Sequence, residues 1–167
     1  MGLIDKIVKQ KDIDSGIHSG EAYILWTQLI ARYDSMELVD FILNCAKDLD
    51  FKLLIQRGVE SVIKPQIKEL EKAMNHYRIP LPSRPPKSQN LPANAEAFKD
   101  NFLYKLLLDG SQTALTVHVK AINICMNDSL RNMFLNFFNQ DAHLYDSLVK
   151  YGKVKGWLDN APIYKNS

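Results

Sequence analysis

The chain has 167 residues, 46% of them hydrophobic and 24% charged, enough to bury one substantial core as ordinary soluble domains do. Its 21 basic and 19 acidic residues leave a net charge of +2, which gives no basis for a nucleic-acid partner. No apolar run approaches the roughly 18 residues of a membrane span, and Met1-Gly2-Leu3-Ile4-Asp5-Lys6 lacks the apolar stretch of a secretory signal, so cytoplasmic synthesis without secretion is expected.

Residues 1–17 form an N-terminal extension in which a Leu3, Ile4, Ile7, Val8 cluster is the one amphipathic hint. Helical periodicity then takes over. The spacing predicts a first helix from an N-cap at Ser19 to about residue 46, with Ala22, Trp26, Leu29, Tyr33, Met36, Asp40 and Leu43 on its inner stripe. A second is predicted from after Asp50 to about residue 77, facing inward through Ile55, Val59, Val62, Ile63, Ile67, Leu70, Met74 and Tyr77. Pro65 falls inside it and predicts a kink, since it lacks an N–H and crowds the carbonyl of Ser61. A break is not expected, because the stripe keeps its phase.

The third helix is predicted over about residues 101–126, with Asp100 as N-cap. Its one persistent polar stripe is Lys105, Asp109, Gln112, Thr116, Lys120, Asn123 and Asn127, so it is expected to be the most buried of the four. Opposite that stripe, Gly110, Ser111 and Ala114 permit close helix approach or leave space for a ligand. The fourth is predicted from Asn127 or Asp128 to about residue 151, with Leu130, Phe134, Phe137, Asp141, Leu144 and Leu148 inward. Gly152 and Gly156 follow as stops.

Five of the seven prolines fall between residues 79 and 94. About 16 extended residues reach roughly 50 Å, whereas a helix of about 26 residues is roughly 39 Å long. This link therefore crosses a bundle end to end, while the other joints are short and force antiparallel neighbours. The expected fold is all-α: a ferritin-like four-helix bundle, two antiparallel helix pairs joined by a long Pro-rich crossover, in a single domain over residues 18–165 with a C-terminal tail. Cys45 and Cys125 then sit at opposite poles as free thiols, which suits a reducing compartment.

In such a bundle, chemistry lives on side chains that project inward. Counting from the helix ends puts Tyr33, Gln66, Glu69, His118 and Asp141 near the middle, with Asp40 about two turns away, towards Arg57. One reading is a metal site, iron or manganese, with His118 as nitrogen ligand and Asp141 and Glu69 as oxygen ligands. A di-iron centre takes Glu-x-x-His on two helices. None occurs here; Gln140-Asp141-Ala142-His143 comes nearest, with His143 on the outer stripe. The reading we adopt is a buried polar network of Tyr33, Asp40, Gln66, His118 and Asp141 that holds no cofactor. In it His118 bonds Asp141 or Tyr33, and Asp40 pairs with Arg57 or with solvent at the bundle end. No Gly-x-Ser-x-Gly elbow or phosphate-binding glycine loop is present.

Four stretches carry a family likeness across about residues 18–165: Glu21-Ala22-Tyr23-Ile24-Leu25-Trp26, Tyr77-Arg78-Ile79-Pro80-Leu81-Pro82, Phe98-Lys99-Asp100-Asn101-Phe102, and Lys155-Gly156-Trp157 followed by Ala161-Pro162-Ile163-Tyr164. In order and spacing the chain resembles the ferritin-like domain of uncharacterised and candidate spore coat proteins from endospore-forming bacteria, related to spore coat protein F. It departs at Ala161, where that pattern has a second proline. The resemblance implies a ferritin-like bundle, association with the spore coat and no catalytic motif. The expectation is a structural or interaction protein that binds other coat proteins or itself, as a homodimer. Trp157 and Tyr164 are candidate contacts. The alternative is a degenerate metal-binding or oxidoreductase domain.

Overall fold

The computed structural model describes residues 2, 16–85, 97–159 and 161–164, and the regular structure in them is four helices with no strand. Helix α1 spans Ser19–Cys45. Helix α2 runs as Leu49–Gly58, a π turn at Val59–Ile63, and Lys64–His76. Helix α3 is Asp100–Ile124 and α4 is Asp128–Lys155. Apart from Gly2 and residues 16–17, the N-terminal extension lies outside the described residues, as do residues 86–96 of the crossover.

Capping explains most boundaries. His18, rather than Ser19, caps α1: its Nδ1 accepts from the N–H groups of Gly20 (3.0 Å) and Glu21 (3.3 Å), while Glu21 accepts from His18 N at 3.0 Å. This is a capping box with an imidazole as acceptor. Asp48, two residues before the expected Asp50, caps α2 through Phe51 N at 3.0 Å. Asp100 opens α3 without capping it. Its carboxylate instead crosses to the α1–α2 turn and accepts from Lys47 N and Asp48 N, both at 2.8 Å. Asn127 caps α4 by accepting from Leu130 N at 3.0 Å. Helix α2 continues through Pro65, and the irregularity is the π turn immediately before it, where Lys64 N reaches Val59 O. Widening the coil there relieves the crowding that proline imposes on the preceding turn.

These contacts fix the topology. Glu21, at the start of α1, accepts from Met126 N (2.8 Å) and Asn127 N (2.7 Å) between α3 and α4. The opposite pole joins the end of α1 to the starts of α2 and α3. Thus α1 opposes α2, α3 opposes α4, and α2 and α3 run the same way, so Tyr77 after α2 and Lys99 before α3 lie at opposite poles. The first leg of the link between them turns back: Arg84 Nη2 donates to Glu71 of α2 at 2.5 Å. At the far pole Phe98 packs edge-on against Phe41, with ring centroids 5.3 Å apart.

Each pole has its own apolar core. Leu25, Leu29, Leu70, Met74, Phe134 and Phe137 pack with Cys125 at one, and Ile42, Phe51, Leu103, Tyr104 and Leu148 with Cys45 at the other. Both cysteines are free and buried, and burial pushes the Cys125 thiol up to about 11.

Three further expectations are corrected. Trp26 is 41% exposed. Because α1 packs against both α2 and α3, its buried face is centred on Leu25, Gln28, Leu29, Arg32 and Val39. Helix α3 is not the most buried: only Leu103, Tyr104, His118 and Ala121 are fully covered, and Phe102 and Val119 are exposed. It packs mainly against α1 and α4, with α2 across the diagonal. Finally, Gly152 does not stop α4. The stop is Gly156, at φ 68°, with Trp157 N bonded back to Gly152 O at 2.9 Å. Trp157 is thereby folded onto Phe51 and Tyr151.

Gly152 is required by close approach. A Cβ there would lie 2.0 Å from the hydroxyl oxygen of Tyr104, which donates to Leu148 O at 3.0 Å. Gly152→Ala should therefore lower unfolding free energy in urea by about 2–3 kcal/mol; an unchanged midpoint would contradict this packing. Asp48 accepts from Lys155 Nζ (2.6 Å), Phe51 N and Tyr151 Oη. The Lys155 bond, then that from Phe51, holds its carboxyl down to about 2, against the upward effect of burial. A carboxyl depressed in the folded state stabilises above its ordinary pKa of 3.8, and that stabilisation is lost as pH falls through about 2. Asp48→Asn should flatten the fall in melting temperature between pH ~4 and ~2; an acid limb as steep as the parent's would count against it.

Candidate functional site

Between the two apolar cores lies one polar layer, to which every helix contributes a side chain: Arg32 of α1, Gln66 of α2, His118 of α3 and Asp141 of α4. Their relative exposures are 6%, 1%, 1% and 4%, so all four are withdrawn from water. Asp141 is the hub. Its Oδ2 accepts a charge-assisted hydrogen bond from Arg32 Nη2 and lies 2.8 Å from His118 Nε2. Its Oδ1 accepts from Gln66 Nε2 at 3.4 Å, and the same Gln66 nitrogen donates to Gln140 Oε1 at 2.9 Å. Arg32 Nη2 also stands 2.6 Å from His118 Nε2. One further bond pins α1 to α3 a turn away, from Gln28 Nε2 to Val117 O at 3.1 Å.

Burial would push the Asp141 carboxyl up, but the His118 hydrogen bond and the Arg32 charge outweigh it and hold the group below its ordinary value. Asp141 is thus an anion in the core, and Arg32, which has donors only, is its counter-charge. His118 Nε2 can serve one neighbour at a time: protonated it donates to Asp141, unprotonated it accepts from Arg32. Phe137 packs against the ring, centroids 5.9 Å apart. Three polar atoms in the layer have no hydrogen-bond partner among the described residues, namely Arg32 Nε, Gln66 Oε1 and His118 Nδ1.

The structure brings Gln66, His118 and Asp141 together and separates the other residues named from sequence. Tyr33 is buried, but its hydroxyl donates to Glu71 at 2.6 Å, in a group completed by Arg84 rather than by His118. Asp40 is half-buried and is not paired with Arg57, which is exposed. Glu69 stands exposed on the outer face of α2 beside Lys72 and His76, away from the layer. His143 is exposed as well. Among the described residues, no group of three or more His, Cys, Asp or Glu side chains is gathered to hold a metal ion.

Arg32 is the member sequence reasoning missed, because the α1 stripe was phased on Trp26 and Asp40. The signal was present: Leu25, Leu29, Arg32, Val39 and Ile42 follow helical spacing and set Arg32 among apolar residues. Glu21 was missed for a similar reason, although it is only 2% exposed.

A helical bundle clasped by one buried carboxylate is the class these features define. The family described as "Protein of unknown function (DUF3231)" matches residues 5–167, and the chain belongs to it. It is 22% identical over 156 residues to the uncharacterized protein YvdQ of Bacillus subtilis (strain 168), covering 90% of this chain and 91% of that one. Its fold is shared with the crystal structure of "a putative spore coat protein (BH2358)" from Bacillus halodurans C-125. The TM-score is 0.83 at 22% identity, across 93% of this chain and 99% of that chain. Among the described residues, no helix is long and apolar enough to cross a membrane.

Removing one partner from a buried ion pair leaves an uncompensated charge, so Asp141→Ala should cost about 3–5 kcal/mol of stability. Replacing both partners, as Arg32→Met with Asp141→Leu, should cost less than the sum of the single changes by about 2 kcal/mol. Additive losses in a denaturant double-mutant cycle would show that the two residues are not coupled.

Proposed function

We propose that this chain is a non-catalytic structural and interaction protein of the spore coat, built as a ferritin-like bundle. The observation that carries the reading is the occupant of the bundle centre. Where a carboxylate bundle would hold a cation, this one has the guanidinium of Arg32, within hydrogen-bond reach of both Asp141 and His118. An iron or manganese ion would have to displace a fixed positive charge and would gain one carboxylate and one imidazole, too little anionic oxygen for a redox pair. The donor set does not fit such an ion, which supports a scaffold over the metal-binding or oxidoreductase alternative.

The coat assignment draws on the family resemblance and on the shared fold with the Bacillus halodurans protein. Tyr23 and Trp26 on the outer face of α1, 60% and 41% exposed, supply apolar surface for coat partners or for a second copy in a homodimer. Trp157 is taken up by its own pole and is not offered as a contact, whereas Tyr164 remains 88% exposed. A fluorescent fusion expressed from the native promoter in the sporulating host should form a shell around the forespore and persist in coat extracts. Diffuse signal throughout the mother cell, absent from extracted coats, would contradict the proposal.

A further inference from the structure

The inner faces of the two halves of α2 do not belong to one regular helix. Before the π turn, Phe51, Ile55 and Gly58 are buried; after it, Gln66, Leu70 and Met74 are. With Phe51 set at 0° and about 100° per residue, Ile55 lies at about 40° and Gly58 at about −20°. On an unbroken helix Gln66, Leu70 and Met74 would lie at about 60°, 100° and 140°. The two faces would then stand about 100° apart, the angle of a single residue. Both nevertheless look into the bundle. Phe51 and Ile55 sit in the core of one pole, Leu70 and Met74 in that of the other, and Gln66 reaches Asp141 between them.

The π turn supplies the difference. Lys64 N bonds Val59 O, five residues back rather than four, so the turn holds one residue more than an α turn. One extra residue turns everything after it back by about 100°, which returns Gln66, Leu70 and Met74 to about −40°, 0° and 40°. Were α2 unbroken with its first half in place, Pro65 would take the position of Gln66, and Glu69 that of Leu70. Leu70 and Met74, now 0% exposed, would swing towards water. The exposed Glu69 would enter an apolar core, where an unanswered carboxylate is costly. Pro65 fits the widened turn, but a proline makes no demand on which face follows it.

We infer that the π turn of α2 is a register device: one extra residue, held by the cores on either side, that admits Gln66 to the polar layer and keeps Glu69 out of the core beside it. Asp141 thereby meets a neutral amide donor from α2. This goes beyond the coat assignment and does not depend on it.

The test uses the full chain and three variants. Pro65→Ala removes the proline and leaves the register demand, so its crystal structure should keep Lys64 N on Val59 O and Gln66 on Asp141. Deleting the exposed Ser61 from that variant removes the extra residue. Helix α2 should then be regular, with Gln66, Leu70 and Met74 still inward, and the melting temperature should stay within about 5 °C of Pro65→Ala. Deleting the exposed Asn136 from α4, which has no π turn to absorb the loss, should lower it by about 15 °C or more. A regular α2 in Pro65→Ala would make the π turn a response to proline alone and overturn the inference. So would a Ser61 deletion that unfolds, or that melts as low as the Asn136 deletion.

Discussion

A single carboxylate, Asp141, sets the register of the whole bundle. An ionised group in the core costs several kcal/mol unless its oxygens are answered, and the answers come from three different helices: Arg32 on α1, Gln66 on α2 and His118 on α3. Sliding any helix by one turn moves its side chains about 5.4 Å, beyond hydrogen-bond reach of Asp141. Apolar packing tolerates many registers in which hydrophobic faces meet. The polar layer tolerates one, so it separates the native arrangement from its near neighbours more sharply than it adds to stability.

The same economy governs the poles. Glu21 accepts three backbone N–H groups where α1 begins, and Asp100 accepts two at the α1–α2 turn. Asp48 takes up an N-terminal N–H of α2, the Tyr151 hydroxyl and the Lys155 ammonium. The buried Glu21 and Asp141 and the half-buried Asp48 and Asp100 are thus answered by the chain's own donors and cations.

Much of the architecture was legible in the amino-acid sequence. Strong 3.6-residue periodicity gave the four helices within a few residues, and the proline cluster indicated the crossover because its length matches that of a helix. The α4 stripe from Leu130 to Leu148 and the α2 stripe from Ile55 to Met74 hold in the structure, since each faces a dense apolar core. His118, Gln66 and Asp141 could be brought to one level by counting residues from the ends. What counting could not supply was rotation about the helix axis. Helix α1 packs between two neighbours, so its buried face is broad, and a few apolar residues on its outer side pulled the expected stripe off centre. That error hid Arg32 and left Asp141 without a counter-charge. Glu69 failed for the converse reason: depth along α2 was right, but its azimuth points to water.

Arg32 stands beside Asp141 and His118, in the place a metal would take. Manganese titration of the metal-free protein followed by electron paramagnetic resonance, with anomalous diffraction from crystals soaked in the same ion, tests this directly. Only weak, surface-bound manganese is expected, with Arg32 still bonded to Asp141. One tightly bound ion per chain, coordinated by His118 and Asp141 with Arg32 swung aside, would contradict it.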